Sequence, residues 1–388
     1  HKLLIYNMSA EQQLIEALGL DPSCKKGFEE WVLENEDSCQ TFFQFASSHN
    51  KVKVATRNIP AKVRLPKTLR SGLKIQDIQV GSKNRREPDD KIYADNKVVR
   101  ERIARGNTLL SYHKEGVEHM CFPLYGMKKF TGGMGDDDDQ TEGGDNTTWQ
   151  KFFTQPSENA THIISTSKEN GSAAHLSALF VDGEYVLIGG SKNSHLICSL
   201  KHGEEDLKLY PQSPWMVAKL IMQAVFDLFK EMGEENTEKF LSLLANWHLT
   251  AIFEMLDVND QHIEVLTNPT PIVRFITFTS AWRGDTVENQ LCLYPIHAVR
   301  IAEAYNMPTI QYDIITLTEE KEQREEAFNS LQTQIRQDFG NEGKVLYFAT
   351  AYNVVIGLLK KKTLWYILLR ALREKFKTYL FFMNKKSS

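Results

Sequence analysis

The stretch that most constrains the fold is "THIISTSKENGSAAHLSALFVDGEYVLIGGSKN", from Thr161 to Asn193. Three apolar, β-branched runs follow one another with only short turns between them. A parallel strand pair needs a crossover of a dozen or more residues, so runs this close make antiparallel neighbours. The second turn is Asp182-Gly183. The first is Lys168-Glu169-Asn170-Gly171, which sets a lysine and a glycine at a tip between two strands. A lysine held at the floor of a cleft is partly desolvated. Desolvation disfavours the ammonium and makes the amine a usable nucleophile. Gly171 permits a tight turn or the close approach of a ligand. The competing reading is a surface hairpin with a solvated lysine.

Beyond this stretch, strand patterns alternate with helical ones. "PWMVAKLIMQAVFDLFKEM" and "TEKFLSLLANW" read as helices, "LTAIFEMLDV" and "PIVRFITFTS" as strands. "TEEKEQREEAFNSLQTQIRQDF" is a long helix, and "GKVLYFAT" and "NVVIGLL" are strands. Early strands in hairpin order with helices between the later ones predict an α+β fold with antiparallel sheets flanked by helices, not a Rossmann fold. Residues 1–95 read as a helical N-terminal region whose part from 50 to 95 is an exposed polar connector. Residues 96–388 read as one domain. Within it "TGGMGDDDDQTEGGDNTT" (131–148) is too acidic and glycine-rich to bury apolar surface and is expected to be a disordered loop. "TLWYILLRALREKFKTYLFF" is expected to be an amphipathic helix packed on a core.

Composition removes some function classes. The 388 residues are 41% hydrophobic with formal charge −4, which does not advertise nucleic-acid binding as a whole-chain property. Five scattered cysteines without a CxxC argue against a zinc site or a disulfide framework and for a reducing compartment. No run approaches the roughly 20 apolar residues of a membrane helix. The expected place is intracellular, cytoplasmic or nuclear, with no membrane partner.

A KxxG match is weak evidence, and this chain has three: Lys129–Gly132, Lys168–Gly171 and Lys230–Gly233. The third lies at a predicted helix end, where glycine is an ordinary cap. Lys168 differs in its downstream company. Ser191-Lys192 follows after one more strand. Glu254 stands in the apolar run "TAIFEMLDV", where a carboxylate is costly unless paired or bound to a cation or a ribose. Glu342-Gly343 opens the strand "KVLYF". Lys360, Lys361 and Lys362 fall where a strand gives way to a helix. Each has a plain alternative: a solvent-facing strand glutamate, a solvated lysine edge.

In this order the motifs resemble those of the covalent nucleotidyltransferases, the superfamily of RNA ligases, DNA ligases and capping enzymes. In detail they resemble the adenylyltransferase domain of fungal-type tRNA ligases. KENG matches the nucleophile motif at Lys168–Gly171, and Ser191-Lys192 matches the serine-lysine after one strand. "IFEMLDVNDQHIEVL" matches the third motif with its histidine-containing tail. "KKKTLWYILLRALRE" matches the lysine strand and arginine helix, with Tyr366, Arg370, Arg373 and Glu374 in place. DNA ligases and capping enzymes favour KxDGxR. Here Asn170 and Ala173 stand at those positions, which turns the reading toward RNA ligase. Two registers fit the lysine strand: Lys360 with Lys362, or Lys361 with a leucine.

The resemblance implies the nucleotidyltransferase (ATP-grasp-like ligase) fold and an ATP-dependent RNA ligase of tRNA splicing or RNA repair. Lys168 would form a lysyl-AMP intermediate. Thr166, Gly171, Glu254, Phe275, Lys360 and Lys362 would bind ATP, with Phe275 or Phe278 stacking on adenine. Lys192 and His195 would contact RNA or phosphates. Glu342 and Glu254 would hold Mg2+ or Mn2+. The implied partners are RNA 5′-phosphate and 3′-hydroxyl ends, with a separate end-healing kinase or phosphodiesterase. The rival readings are a catalytically degenerate ligase fold that only binds RNA, and a DNA ligase or guanylyltransferase.

Overall fold

The computed structural model describes residue 12 and residues 25–81, 87–132, 148–261, 263–280 and 291–386. The chain divides into two units. The first comprises residues 1–129, 172–255 and 270–309. The second comprises residues 130–171, 256–269 and 310–388.

The first unit opens with helix α1 (Phe28–Ser48) and a meander of β1 (Val52–Asn58), β2 (Lys74–Val80), β3 (Asn107–Lys114) and β4 (Val117–Tyr125). Two short helices, α2 (Asp89–Asp95) and α3 (Lys97–Arg102), lie between β2 and β3. The meander forms a four-stranded antiparallel sheet in the order β1-β2-β3-β4. Residues 50–95 are thus not an exposed connector, and the helical region does not end at 95. The strands went unread because charged and polar residues break up their apolar signal, and in β2 burial does not alternate, with Ile75 through Ile78 all buried. In β1 Val52 is buried and Lys53 exposed, while in β2 Ile75 and Ile78 are buried on either side of the buried polar residues Gln76 and Asp77. Arg57 pairs with Asp77.

The chain then passes into the second unit with β5 (His162–Ser167) and returns with β6 (Ser172–Val181), β7 (Glu184–Ser191) and β8 (His195–Ser199). A single helical turn, α4 (Gly203–Asp206), leads to α5 (Gln212–Met232) and α6 (Glu234–Trp247). β9 (Leu249–Leu256), β10 (Ile272–Ser280) and α7 (Pro295–Ala304) follow. Gly233 caps α5 at φ 81°, its N–H bonded to the Phe229 carbonyl, so the third KxxG match is a helix end as expected. The strands form a five-stranded sheet in the order β10-β9-β6-β7-β8. β6 and β7 are thus the antiparallel neighbours expected. β5 instead pairs with other strands, so the KENG turn joins two sheets rather than closing a hairpin. Alternation along β6 divides its residues between two cores. Ala174, Leu176 and Ala178 pack with residues of α5 and α6, such as Ile221 and Leu244. Leu179 and Val181 pack with Ile75 and Leu110 of the meander.

The second unit adds β11 (Tyr312–Thr316), α8 (Lys321–Gln337), β12 (Gly343–Ala349), β13 (Val355–Lys362) and α9 (Leu364–Lys386). Its sheet runs β11-β5-β12-β13, antiparallel throughout. Ile163, Leu346, Phe348 and Leu359 pack against Trp149 and Ile335, closing one face. The predicted mixture of helices with antiparallel sheets is therefore present in both units.

Two terminal expectations fare differently. Helix α9 is not packed along its length. Thr363 caps it, its hydroxyl accepting the Tyr366 N–H at 3.1 Å, and Tyr366 is buried. Beyond that turn Leu368, Leu372 and Phe376 are each 62% exposed. The acidic loop expected at 131–148 falls mostly on 133–147, outside the described residues. Its flanks are ordered: Thr131 bridges Leu359 and residues 148–152 form a 3-10 turn. Among the described residues no helix is long and apolar enough to cross a membrane.

Candidate active site

The second unit gathers Lys168, Glu342 and the lysine strand on one sheet. β12 is the central strand, flanked by β5 and β13. Val345 pairs with Thr166 on one side and Lys360 on the other. Two residues along, Gly343 pairs with Lys362, and its carbonyl accepts the Lys168 N–H at 3.0 Å. Directly opposed residues point to the same face of a sheet. Thr166, Lys360 and Lys362 therefore share a face. Lys361 points the other way, buried, its Nζ donating to the Gly132 carbonyl at 2.9 Å. Gly343 is required where it stands. Its φ is +140°, and a Cβ there would lie 2.0 Å from the Lys361 carbonyl oxygen.

Lys168 Nζ lies 2.8 Å from Glu342 Oε1, with the two side chains 21% and 7% exposed. The backbone of Glu342, just before β12, is held at both of its polar groups, its carbonyl accepting the Thr363 N–H at 3.0 Å and its N–H donating to a carboxylate. Lys362 Nζ sits 5.7 Å from the Tyr366 ring centroid, a cation–π distance. Burial pushes the Tyr366 phenol well up, and Glu342 adds to it. A lysine, a nearly buried carboxylate and two strand lysines thus converge in one unit.

The structure adds a residue that sequence reasoning missed. Glu264 accepts the backbone N–H of Glu342, and the adjacent Ile263 N–H donates to Asn170 Oδ1 at 3.4 Å. Residues 263–264 thus bridge the KENG turn to the start of β12. Glu264 lies within the histidine-containing tail "HIEVL", but no spacing marks it. Asn170 is buried, and its Nδ2 has no partner among the described residues. A buried amide donor left open is costly and suits a ligand acceptor.

Burial raises the Glu264 carboxyl above its ordinary value of 4.5, and the charges of Glu342 and Glu169 push the same way. The Glu342 N–H and Lys168 pull it back. A carboxyl raised in the folded state binds its proton more tightly there than in the unfolded chain. Its stabilising protonation is present at low pH and is lost as pH climbs from 4.5 through the raised value. Glu264→Gln should lack this loss. Urea unfolding from pH 4.5 upward should show the wild type falling relative to the variant. Parallel curves would mean that the carboxyl is not raised.

Of the other expected site residues, Glu254, Lys192, Phe275 and His195 belong to the first unit and Gly171 to the second. Glu254 is the half-buried residue of an otherwise buried β9, opposite Ala173. Lys192 follows β7, its Nζ 3.9 Å from Asp89. Burial, and then the nearby Arg105, lower its pKa. Two expectations meet different surroundings. Phe275 is fully buried, 4.7 Å from the Phe278 ring and 5.5 Å from Phe253, so neither it nor Phe278 offers a face for adenine. His195 is also buried, its Nδ1 2.8 Å from Asp77 and its Nε2 3.2 Å from His175, so its ring is engaged inside the unit rather than held out to a phosphate. Thr166 is buried too, its hydroxyl donating to the Val345 carbonyl at 3.3 Å. Gly171 stands in the turn before β6.

The family model described as "Domain of unknown function (DUF7920)" matches residues 55–373. No curated protein matches the sequence. Among solved structures the chain is similar to a mutant Naegleria gruberi RNA ligase with ATP and Mn, 12% identical. That match covers 82% of this chain and 97% of the other, with a TM-score of 0.36. The same ligase with PPi is 10% identical, over 85% and 99%, with a TM-score of 0.35. A mutant with AMP and Mn is 10% identical, over 82% and 98%, with a TM-score of 0.34.

Proposed function

We propose that this chain, which belongs to the family described as a domain of unknown function (DUF7920), is an ATP-dependent RNA ligase working through a lysyl-AMP intermediate. The observation that carries the reading is the meeting of Lys168 with Glu342 at 2.8 Å, on a sheet that turns Lys360 and Lys362 to one face. These are the residues that the motif order singled out.

In the first step the neutral Lys168 Nζ attacks the α-phosphorus of ATP. A P–N bond forms, the bond to the bridging oxygen breaks, and pyrophosphate leaves with the electron pair. The ammonium must first shed a proton, so its ion pair with Glu342 is a resting arrangement that holds the amine in place. Lys360 and Lys362 supply positive charge where negative charge develops on phosphate oxygens. In the second step an RNA 5′-phosphate oxygen attacks the adenylyl phosphorus, and Lys168 leaves and regains its proton. In the third step an RNA 3′-hydroxyl attacks the activated 5′-phosphate, loses its proton, and expels AMP. Glu254 is assigned to the ribose or the metal, and Lys192 to a phosphate.

The metal fits the donors present. Among the described residues no three His, Cys, Asp or Glu side chains form a metal cage. Mg2+ needs none, since it takes one or two carboxylates with waters and substrate phosphates. Glu342, with Glu264 beside it, offers hard oxygen donors of that kind. A bound Mg2+ or Mn2+ would offset charge on the phosphate oxygens. RNA ends are the proposed substrate, with a separate kinase or phosphodiesterase preparing them, in splicing or repair inside the cell.

The test is incubation with labelled ATP or GTP and a divalent metal, followed by denaturing electrophoresis. Label from ATP that survives denaturation and is released by acid supports a phosphoramidate. Label from GTP alone points to a guanylyltransferase, and no covalent label leaves a binding protein.

The lysine strand gives a sharper test. Lys362→Met should lower AMP labelling by about tenfold or more, the scale of one lost electrostatic contact. Lys361→Met should leave labelling within about twofold but cost about 1–2 kcal/mol of stability, because the Gly132 carbonyl loses its charged donor. Labelling rates and urea unfolding separate the two, and a reversed pattern would put the motif lysine at 361.

A further inference from the structure

Apart from the candidate site, the first unit contains a connected set of buried polar groups to which the proposed reaction assigns no role. Asp77, His175 and His195 are 2%, 2% and 1% exposed. The Asp77 carboxylate accepts from the His195 ring Nδ1 at 2.8 Å and from the His195 backbone N–H at 3.3 Å. It also accepts from the Thr108 hydroxyl at 3.0 Å and from Arg57. The Thr108 hydroxyl itself lies 2.8 Å from His195 Nδ1. Because the Asp77 carboxylate accepts only, His195 Nδ1 carries a proton, and on the far side of the ring Nε2 lies 3.2 Å from His175 Nδ1. Burial and the neighbouring His195 push His175 down to about 3, so it stays neutral. The His195 carbonyl, finally, accepts the Trp215 indole N–H at 3.1 Å. All four polar points of one residue are held.

That residue ends the turn carrying Lys192. Gly190 pairs with His195 across β7 and β8, and Ser191 N–H donates to the Ser194 carbonyl at 3.0 Å. Gly190 has φ +157°, and a Cβ there would lie 2.2 Å from the Ser194 oxygen. The turn is therefore closed at its base, with Lys192 near its tip. His175 also pairs with Ile252 in the register that sets Ala173 opposite Glu254. Opposed residues share a face, and so do i and i+2, so the pinned histidines lie on the same face as Glu254, two residues along the register.

We propose that Asp77 and His195 are positioning residues: their bond fixes the 191–194 turn and thereby holds Lys192 ready for a phosphate. This rests on the assignment of Lys192 above. A surface lysine on a free turn must give up rotamer and backbone freedom when it binds, and a turn fixed beforehand has less to lose. A buried carboxylate with four donors is more than a strand pair needs, and three of those donors sit on or beside the residue closing the turn.

The test uses two near-isosteric substitutions in the full chain. His195→Asn sets an amide N–H close to where Nδ1 stands, keeping the bond to Asp77 and losing His175. His195→Gln does the reverse, reaching toward His175 and losing Asp77. The expected result is that His195→Gln raises the KM for ATP in lysine adenylylation about tenfold with kcat within about threefold, whereas His195→Asn stays within about threefold in both. Amide hydrogen exchange at 191–195 should quicken in His195→Gln and not in His195→Asn. Trp215→Phe removes only the indole donor and should move both readouts the same way by a smaller factor, which covers a His195→Gln that does not fold. Equal changes in the Asn and Gln variants would overturn the proposal, because the ring would then only fill space. Lys192→Ala is run alongside. If it leaves KM unchanged, the phosphate assignment has failed, and the exchange difference alone decides whether the pin exists.

Discussion

Lys168→Ala is expected to abolish covalent AMP labelling, and Lys168→Arg to abolish it equally. The two variants fail for one chemical reason and differ in a physical one. Alanine removes the nucleophile and also strips the nearly buried Glu342 of its ion-pair partner. Breaking a pair by removing one side leaves an uncompensated charge. With Lys168 one-fifth exposed the cost should sit at the low end of the range for buried pairs, about 3 kcal/mol. Arginine keeps a cation beside Glu342 and should hold most of that stability. Its guanidinium stays protonated, so it cannot attack phosphorus. Labelling followed by gel, with urea unfolding of the same samples, separates lost chemistry from lost fold. Label that persists in both variants sinks the assignment of the nucleophile.

Glu342→Gln is expected to lower lysine adenylylation by about 10²-fold or more, the scale of losing a strong transition-state electrostatic contact. The amide keeps the size of the side chain and can still accept from Lys168, so any loss is a loss of charge. If that charge serves a hard divalent cation, raising Mg2+ or substituting Mn2+ should recover part of the rate. Glu254→Gln serves as the contrast. A carboxylate that binds the ribose should respond to ATP concentration and little to metal. Wild-type rates in both variants across metal and ATP would show that the motifs are misaligned, leaving Lys168 alone to support an enzyme.

Much was legible because it is local. The turn at Lys168–Gly171, the strands on either side of it, the helix end at Gly233 and the strand start at Gly343 each follow from a few neighbouring residues. Apolar alternation, turn chemistry and the φ that only glycine accepts are written in short windows. Glu254 inside an apolar run was legible for the same reason, as an expense that asks for a partner. β1 and β2 were not, since polar residues interrupt both, β2 carries Gln76 and Asp77 into buried positions, and the partners of Asp77 lie far along the chain. It is met by Arg57 and by His195.

What the tertiary structure decided is pairing across long separations. Alternation shows that Lys360 and Lys362 face together and Lys361 apart. Only the register of β12 with both β5 and β13 shows which set lies with Thr166, because a one-residue slip turns every side chain over. Glu264 and Glu342 are 78 positions apart, and no window of sequence contains both. The burial of Phe275 and His195 is of the same kind. An aromatic or a histidine on a strand reads alike whether its face meets a ligand or a core, and the choice is made by what folds against that face. The sequence by itself determined the chemical groups and the strands that carry them. Which groups meet was decided by sheet register and by the helices and strands packed on each face, which are non-local contacts.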